Sequence, residues 1–305
     1  MTSATPHITV AAGVRPSRAV RRRRALRKFR DFAGLLPFFA YTLLFFGAPT
    51  AVVVLEAFQD QDGNWTMANV AESVQFVYFD SFVESLKLSF WSALSGTVLG
   101  FAAAYAILKT RNSWLRRVTQ TAAGVFANTG GIPLAFMFIA ALGSYGLVTR
   151  ILLRFGIDIY AGTWTLFGFS GLLIVYLYFQ IPLMIIVIMP ALEAQKASWR
   201  EAATNLGASS RQYWLHVGGP ILFAPVAGAF LLLFANAFAA YATARALTSG
   251  TIPLVPLQIG SLLSGNVIAD RANLGYALGF GMIVVVALAM AVYNATQKRA
   301  AKWLR

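Results

Sequence analysis

Six runs of this sequence are each long and apolar enough to cross a lipid bilayer, and that bounds the chain before any motif is considered. A hydrocarbon core about 30 Å thick takes roughly 20 apolar residues of α-helix to span. Runs of that kind lie at about residues 32–58, 85–108, 121–142, 167–189, 221–240 and 274–293. Backbone groups facing lipid must be satisfied within the structure, and no barrel-type alternation is present, so the runs are read as helices. The expected fold class is an all-α integral membrane protein with six transmembrane helices. Composition agrees: 58% of the 305 residues are hydrophobic and 12% charged, with mean hydropathy +0.65, which no single soluble domain shows.

The net charge of +14 is placed where it orients the chain rather than where it would read nucleic acid. Arg15, Arg18, Arg21, Arg22, Arg23, Arg24, Arg27, Lys28 and Arg30 stand directly ahead of the first run. Lys109, Arg111, Arg116 and Arg117 follow the second run, Lys196, Arg200 and Arg211 the fourth, and Lys298, Arg299, Lys302 and Arg305 the sixth. The alternate loops hold Asp60, Asp62, Glu72, Asp80, Glu84, Asp158 and Asp270 against only Lys87, Arg150, Arg154, Arg245 and Arg271. Excess Lys and Arg mark the cytoplasmic side, so both termini are predicted inside, with the basic arm against anionic lipid headgroups and no nucleic-acid partner. This divides the chain into a basic cytoplasmic arm over 1–31, a transmembrane domain over 32–295 and a cytoplasmic tail over 296–305. Residues 1–14 read as disordered, and the first run, being of spanning length, reads as a helix rather than a cleaved signal peptide.

Between the fourth and fifth runs lies a polar island, residues 191–220, which this topology puts in the cytoplasm. Trp199, Ala203 and Leu206 share one face of a short predicted helix. Gly207 suits its stop, since a left-handed residue costs glycine no Cβ clash. Ser209 with Gln212 three residues on makes a capping box that restarts a helix. Pro220 opens the next run, where its missing N–H does no harm.

The island resembles the cytoplasmic loop of inner-membrane permeases of binding-protein-dependent ABC importers. Their signature is Glu-Ala-Ala, three residues, Gly, nine residues, Ile, any residue, Leu-Pro. Glu201, Ala202, Ala203, Gly207 and Pro220 match it, while Val217 replaces the Ile and Gly219 the Leu. The resemblance implies a MetI-like permease core over about 82–295 and a coupling helix that docks into a separate ATPase. Small Ala202 and Ala203 would permit close approach there, with Arg200 and Glu201 orienting the partner. It further implies a second permease subunit, identical or related, two ATPase subunits carrying ATP and Mg, and an extracytoplasmic solute-binding protein at a bacterial cytoplasmic (inner) membrane. Residues 176–183 and 235–244 look most like permeases of the spermidine/putrescine group, which implies a small solute, with polyamine as the finer reading.

No cofactor is expected in this chain. It has no cysteine and only His7 and His216, which excludes thiol chemistry and suggests no metal site. There is no phosphate loop, Gly-x-Ser-x-Gly elbow or His-Glu-x-x-His pair, so a transport subunit is expected rather than an enzyme. No charged side chain sits near the middle of a run. The uncharged polar residues Asn128, Gln180, Asn236 and Tyr241 are the candidates for a translocation path, with interhelical hydrogen bonding as the alternative for each. The Asn128–Pro133 stretch, with Gly130 and Gly131, is expected to loosen its helix locally. The competing function class is an ATP-independent secondary transporter or channel subunit, which has no reason to carry the Glu201 loop.

Overall fold

The computed structural model describes residues 35–264 and 271–302. The basic arm predicted over 1–31 and the end of the tail lie outside them. Residues 35–52 form one unit and residues 53–302 belong to another, and each is described by itself. The first is most of α1 (Leu35–Ala57), an apolar helix with a π-helical turn at Leu43–Gly47. Among the described residues there is no strand, only an isolated bridge between Gln59 and Trp65. The loop it closes is ordered by Asp60, whose carboxylate accepts from the backbone N–H groups of Asn64 (2.8 Å) and Asp62 (3.0 Å). These hydrogen bonds, that from Asn64 first, hold its pKa below the usual carboxylate value.

The second unit continues through α2 (Ala68–Ser73), α3 (Phe76–Lys109), α4 (Ser113–Asn128), α5 (Gly131–Leu142) and α6 (Leu147–Arg154). It then runs through α7 (Phe169–Glu193), α8 (Ala197–Asn205), α9 (Ser210–Tyr213), a π turn at Trp214–Gly218, α10 (Gly219–Phe238), α11 (Ala242–Thr248), α12 (Val255–Leu263) and α13 (Ala272–Lys302). Among the described residues six helical segments are long and apolar enough to span a membrane, as the hydropathy pattern indicates.

Two spans differ from the expectation. The second is longer, because α3 begins nine residues before Ser85, where Tyr78 and Phe82 pack against Val255, Leu262, Leu274 and Leu278 of α12 and α13. The third is not one helix over 121–142: α4 ends at Asn128, and the third candidate span begins with α5 at Gly131 and runs to Arg154. Gly131 has φ +74°, a left-handed conformation that suits glycine. Its N–H donates to the Thr243 hydroxyl at 2.8 Å, and that hydroxyl donates back to the Gly131 carbonyl at 3.3 Å. The break is thus satisfied by a residue 112 positions away.

The core is built on α7, which buries residues on every side. Against it lies a stripe of small residues on α3 at four-residue spacing, Ser92, Gly96, Gly100 and Ala104. A Cβ on Gly96 would meet the Gln180 Cβ at 2.8 Å, and one on Gly100 the Met184 Cβ at 2.5 Å. The two backbones therefore approach as closely as they do only because those positions lack side chains. Overpacking a formed interface costs about 1–3 kcal/mol or more. Gly100→Leu should accordingly lower the thermal unfolding midpoint of the detergent-purified chain by several degrees. Gly124→Leu, at a glycine with nothing within 4 Å, should leave it unchanged. Equal midpoints for both variants would contradict the close α3–α7 packing.

Candidate functional site: the cytoplasmic loop and the helix-break cleft

Each half of the loop between α7 and α10 is closed by its own sequence. α8 ends in a Schellman turn, with Gly207 at φ +77°, its N–H on the Thr204 carbonyl (2.9 Å) and the Ala208 N–H on the Ala203 carbonyl (2.9 Å). α9 opens with a reciprocal capping box, Ser209 N–H to Gln212 Oε1 at 2.7 Å and Gln212 N–H to Ser209 Oγ at 3.3 Å. Pro220 is the second residue of α10.

No residue of α8 is buried. Arg200, Glu201, Ala202 and Gly207 are exposed, Ala203 is half-buried, and Leu206 stands 89% exposed. The Trp199–Ala203–Leu206 stripe therefore does not pack into the chain's own core. Arg200 and Glu201 form no ion pair within the described residues. What α8 offers is a short rigid helix with an apolar residue and two charges facing outward.

The loop is anchored at its exits. Glu193, at the end of α7, pairs with Arg116 of α4, and Gln195 donates from Nε2 to the Gly218 carbonyl at 3.4 Å. Trp214 meets Tyr105 of α3 edge to face at 5.5 Å, and Lys109 sits 4.5 Å above the same tyrosine ring. This anchorage was not read from the sequence. The Tyr105 and Lys109 pair at i, i+4 was visible there, but its partner 109 positions on was not.

Three of the four candidate path residues come together. A cleft of about 380 Å³ is lined by Asn128 and Gly131 at the α4–α5 break, by Asn236, Ala240 and Tyr241 at the α10–α11 break, and by Phe179 of α7. Asn236 is exposed and its side chain makes no hydrogen bond within the described residues, and Tyr241 is 42% exposed. Asn128 donates from Nδ2 to the Gly124 carbonyl at 2.8 Å. Tyr176 fixes one rim by donating to the Ala240 carbonyl at 3.2 Å. Thr243 fixes the other through Gly131, and among the described residues no charged side chain lines the cleft.

Gln180 does not belong with them. It is fully buried, and its amide donates to the Leu233 carbonyl of α10 at 3.0 Å and to Ser92 Oγ of α3 at 3.4 Å. It joins three helices instead of facing a path, because it points from α7 into the seam opposite Gly96. Interhelical bonds of this type are worth about 0.6 kcal/mol on average. Among the described residues no three His, Asp or Glu side chains lie together as metal ligands would.

Comparison with known proteins fits this arrangement. The "Probable sulfate transport system permease protein cysT" of Chlorella vulgaris is 24% identical over 212 residues, covering 68% of this chain and 75% of that protein. The "Spermidine/putrescine transport system permease protein PotC homolog" of Mycoplasma genitalium is 22% identical over 208 residues, covering 67% and 64%. The fold is shared with a chain of a bacterial alginate ABC transporter crystallised with an alginate pentasaccharide-bound periplasmic protein, at TM-score 0.73 and 20% identity, over 91% of this chain and 96% of that one. The profile of the "Binding-protein-dependent transport system inner membrane component" family matches residues 96–304, a stretch holding Gly96, Gly100 and Ala104 of the α3 stripe, the cleft and the cytoplasmic loop. The chain belongs to that family, and is a multi-pass transport component of the membrane.

Proposed function

We propose that this chain is the permease subunit of an ATP-driven importer whose energy enters through the loop at Glu201–Gly207. The observation that carries the reading is the exposed α8, ended by the Schellman turn at Gly207 and presenting Arg200 and Glu201, with Leu206 just past its end, outward. A helix so ordered and so uncovered fits docking into a partner better than solvation alone. The partner is a cytoplasmic ATPase that binds ATP and Mg, because this chain has no phosphate loop of its own. Two such ATPases, a second permease copy or relative, and an extracytoplasmic binding protein complete the assembly. Both termini are cytoplasmic, on the distribution of Lys and Arg.

The translocation path runs through the cleft of Asn128, Asn236 and Tyr241, where two helix breaks bring backbone and amide groups together. ATP binding favours one of two permease states because the ATPase contacts them differently, and this makes the loop a coupling device. The finer reading of the solute is a polyamine, on the likeness of residues 176–183 and 235–244 to spermidine/putrescine permeases. In the cleft the faces of Tyr241 and Phe179 would meet the cation, since no carboxylate does. Selection among solutes then rests mainly with the binding protein.

Reversing the charge with Glu201→Lys should weaken ATPase retention about tenfold or more while leaving membrane insertion intact. Gly207→Val should keep the ATPase attached but abolish uptake by straining the left-handed turn. Quantified co-purification and vesicle uptake measure these outcomes, and wild-type behaviour of both variants would overturn the coupling assignment. For the solute, vesicles should take up labelled spermidine, and Tyr241→Ala should reduce the rate roughly two- to thirtyfold more than Tyr241→Phe. Spermidine excluded while another solute enters would remove the polyamine reading alone.

A further inference from the structure

The join between the cytoplasmic loop and α10 is not α-helical. Over Trp214–Gly218 the chain forms a π turn, closed by the Gly219 N–H on the Trp214 carbonyl. A π turn holds one residue more than an α turn, so everything beyond it is rotated by about 100° relative to an uninterrupted helix. Just ahead of it Tyr213 is buried, while the adjacent Trp214 reaches Tyr105 of α3.

Two glycines make this geometry attainable. A Cβ on Gly218 would lie 2.9 Å from Trp214 Cε3 and 3.1 Å from Tyr213 Cε1, so any side chain there displaces the indole. A Cβ on Gly219 would lie 2.4 Å from the Trp214 carbonyl oxygen that closes the turn. The Gly218 carbonyl is also where Gln195, just past the end of α7, is attached. Within about one helical turn the exit of the loop therefore touches α3 through Trp214, α7 through Gln195, and α10 through the chain itself.

We propose that Trp214, seated on Tyr105 by the π turn, is the positioning residue through which displacement of the α8–α9 loop is passed to α3. This rests on the reading of that loop as the ATPase-coupling element. The capping box makes α9 rigid up to Tyr213, so a push on α8 reaches the indole before it reaches α10. The indole bears on a ring that Lys109 also contacts, and α3 in turn is locked to α7 at Gly96 and Gly100. Loss of the indole would leave the loop attached to α10 but no longer bearing on α3.

The chain has no native cysteine, which makes paired spin labels straightforward. Labels at Val77→Cys, near the start of α3, and Tyr145→Cys, in the turn between α5 and α6, are at exposed positions remote from the loop and report movement there by double electron–electron resonance. The probe is ATP with vanadate, applied to the detergent-purified complex with its own ATPase. In the parent complex the distance distribution is expected to shift on trapping. In Trp214→Ala the ATPase stays bound and basal hydrolysis continues, but the shift is lost; Trp214→Phe restores it, and Tyr105→Leu repeats the loss. A full shift in Trp214→Ala with the ATPase bound overturns the role of Trp214 and leaves the coupling loop standing. Parallel loss of bound ATPase, basal hydrolysis and shift in both Trp214→Ala and Tyr105→Leu reduces the contact to structural packing. Retention of the ATPase unchanged in Glu201→Lys counts against the loop itself.

Discussion

Close approach of α3 to α7 is the contact on which the rest of the second unit depends. In lipid there is little hydrophobic gain in bringing two apolar helices together, so association relies on packing and interhelical hydrogen bonds. Gly96 and Gly100 supply the first, by admitting Gln180 and Met184 to distances a side chain would forbid. Gln180 supplies the second, by tying α3 and α10 to α7 from a fully buried position. Fixing those three helices fixes what stands at each end of them.

At one end is the cleft, at the other the loop. The cleft exists because two helix breaks come together and each finds its hydrogen bonds elsewhere in the chain, Gly131 with Thr243 and Ala240 with Tyr176. The loop differs in that its turns are satisfied locally, by Gly207 and by the Ser209–Gln212 box, so that it stays rigid while its outward face is left bare. A satisfied but uncovered helix on one side, and a satisfied but open break on the other, suit a component that receives work at one surface and uses it within the membrane.

The spans were legible because apolar length is a local property, and the loop was legible because Gly207, Ser209, Gln212 and Pro220 each carry a conformational preference of their own. What escaped the sequence depends on distant partners. Gly131 looked like a loosening of one helix, and became a boundary between two once Thr243 could bond it. Gln180 was grouped with Asn128, Asn236 and Tyr241 because each is a lone polar group in an apolar run. α7 is apolar on all sides, so its periodicity gave no face to tell the seam from the cleft. The four-residue spacing of Ser92, Gly96, Gly100 and Ala104 was available as a sign of that seam. The π turn has no comparable signature, since Gly218 and Gly219 alone are equally compatible with an ordinary break.

The most direct test of the account is a photo-crosslink from the loop. Leu206, at 89% exposure, is replaced by p-benzoylphenylalanine in the full chain, irradiated in native membranes, and the adduct identified by mass spectrometry. The account predicts an adduct with a protein that carries a phosphate-loop sequence, lost when Glu201→Lys is added. Adducts with lipid alone, or with a protein that has no nucleotide-binding sequence, would contradict it and return the loop to a surface helix of an ATP-independent transporter.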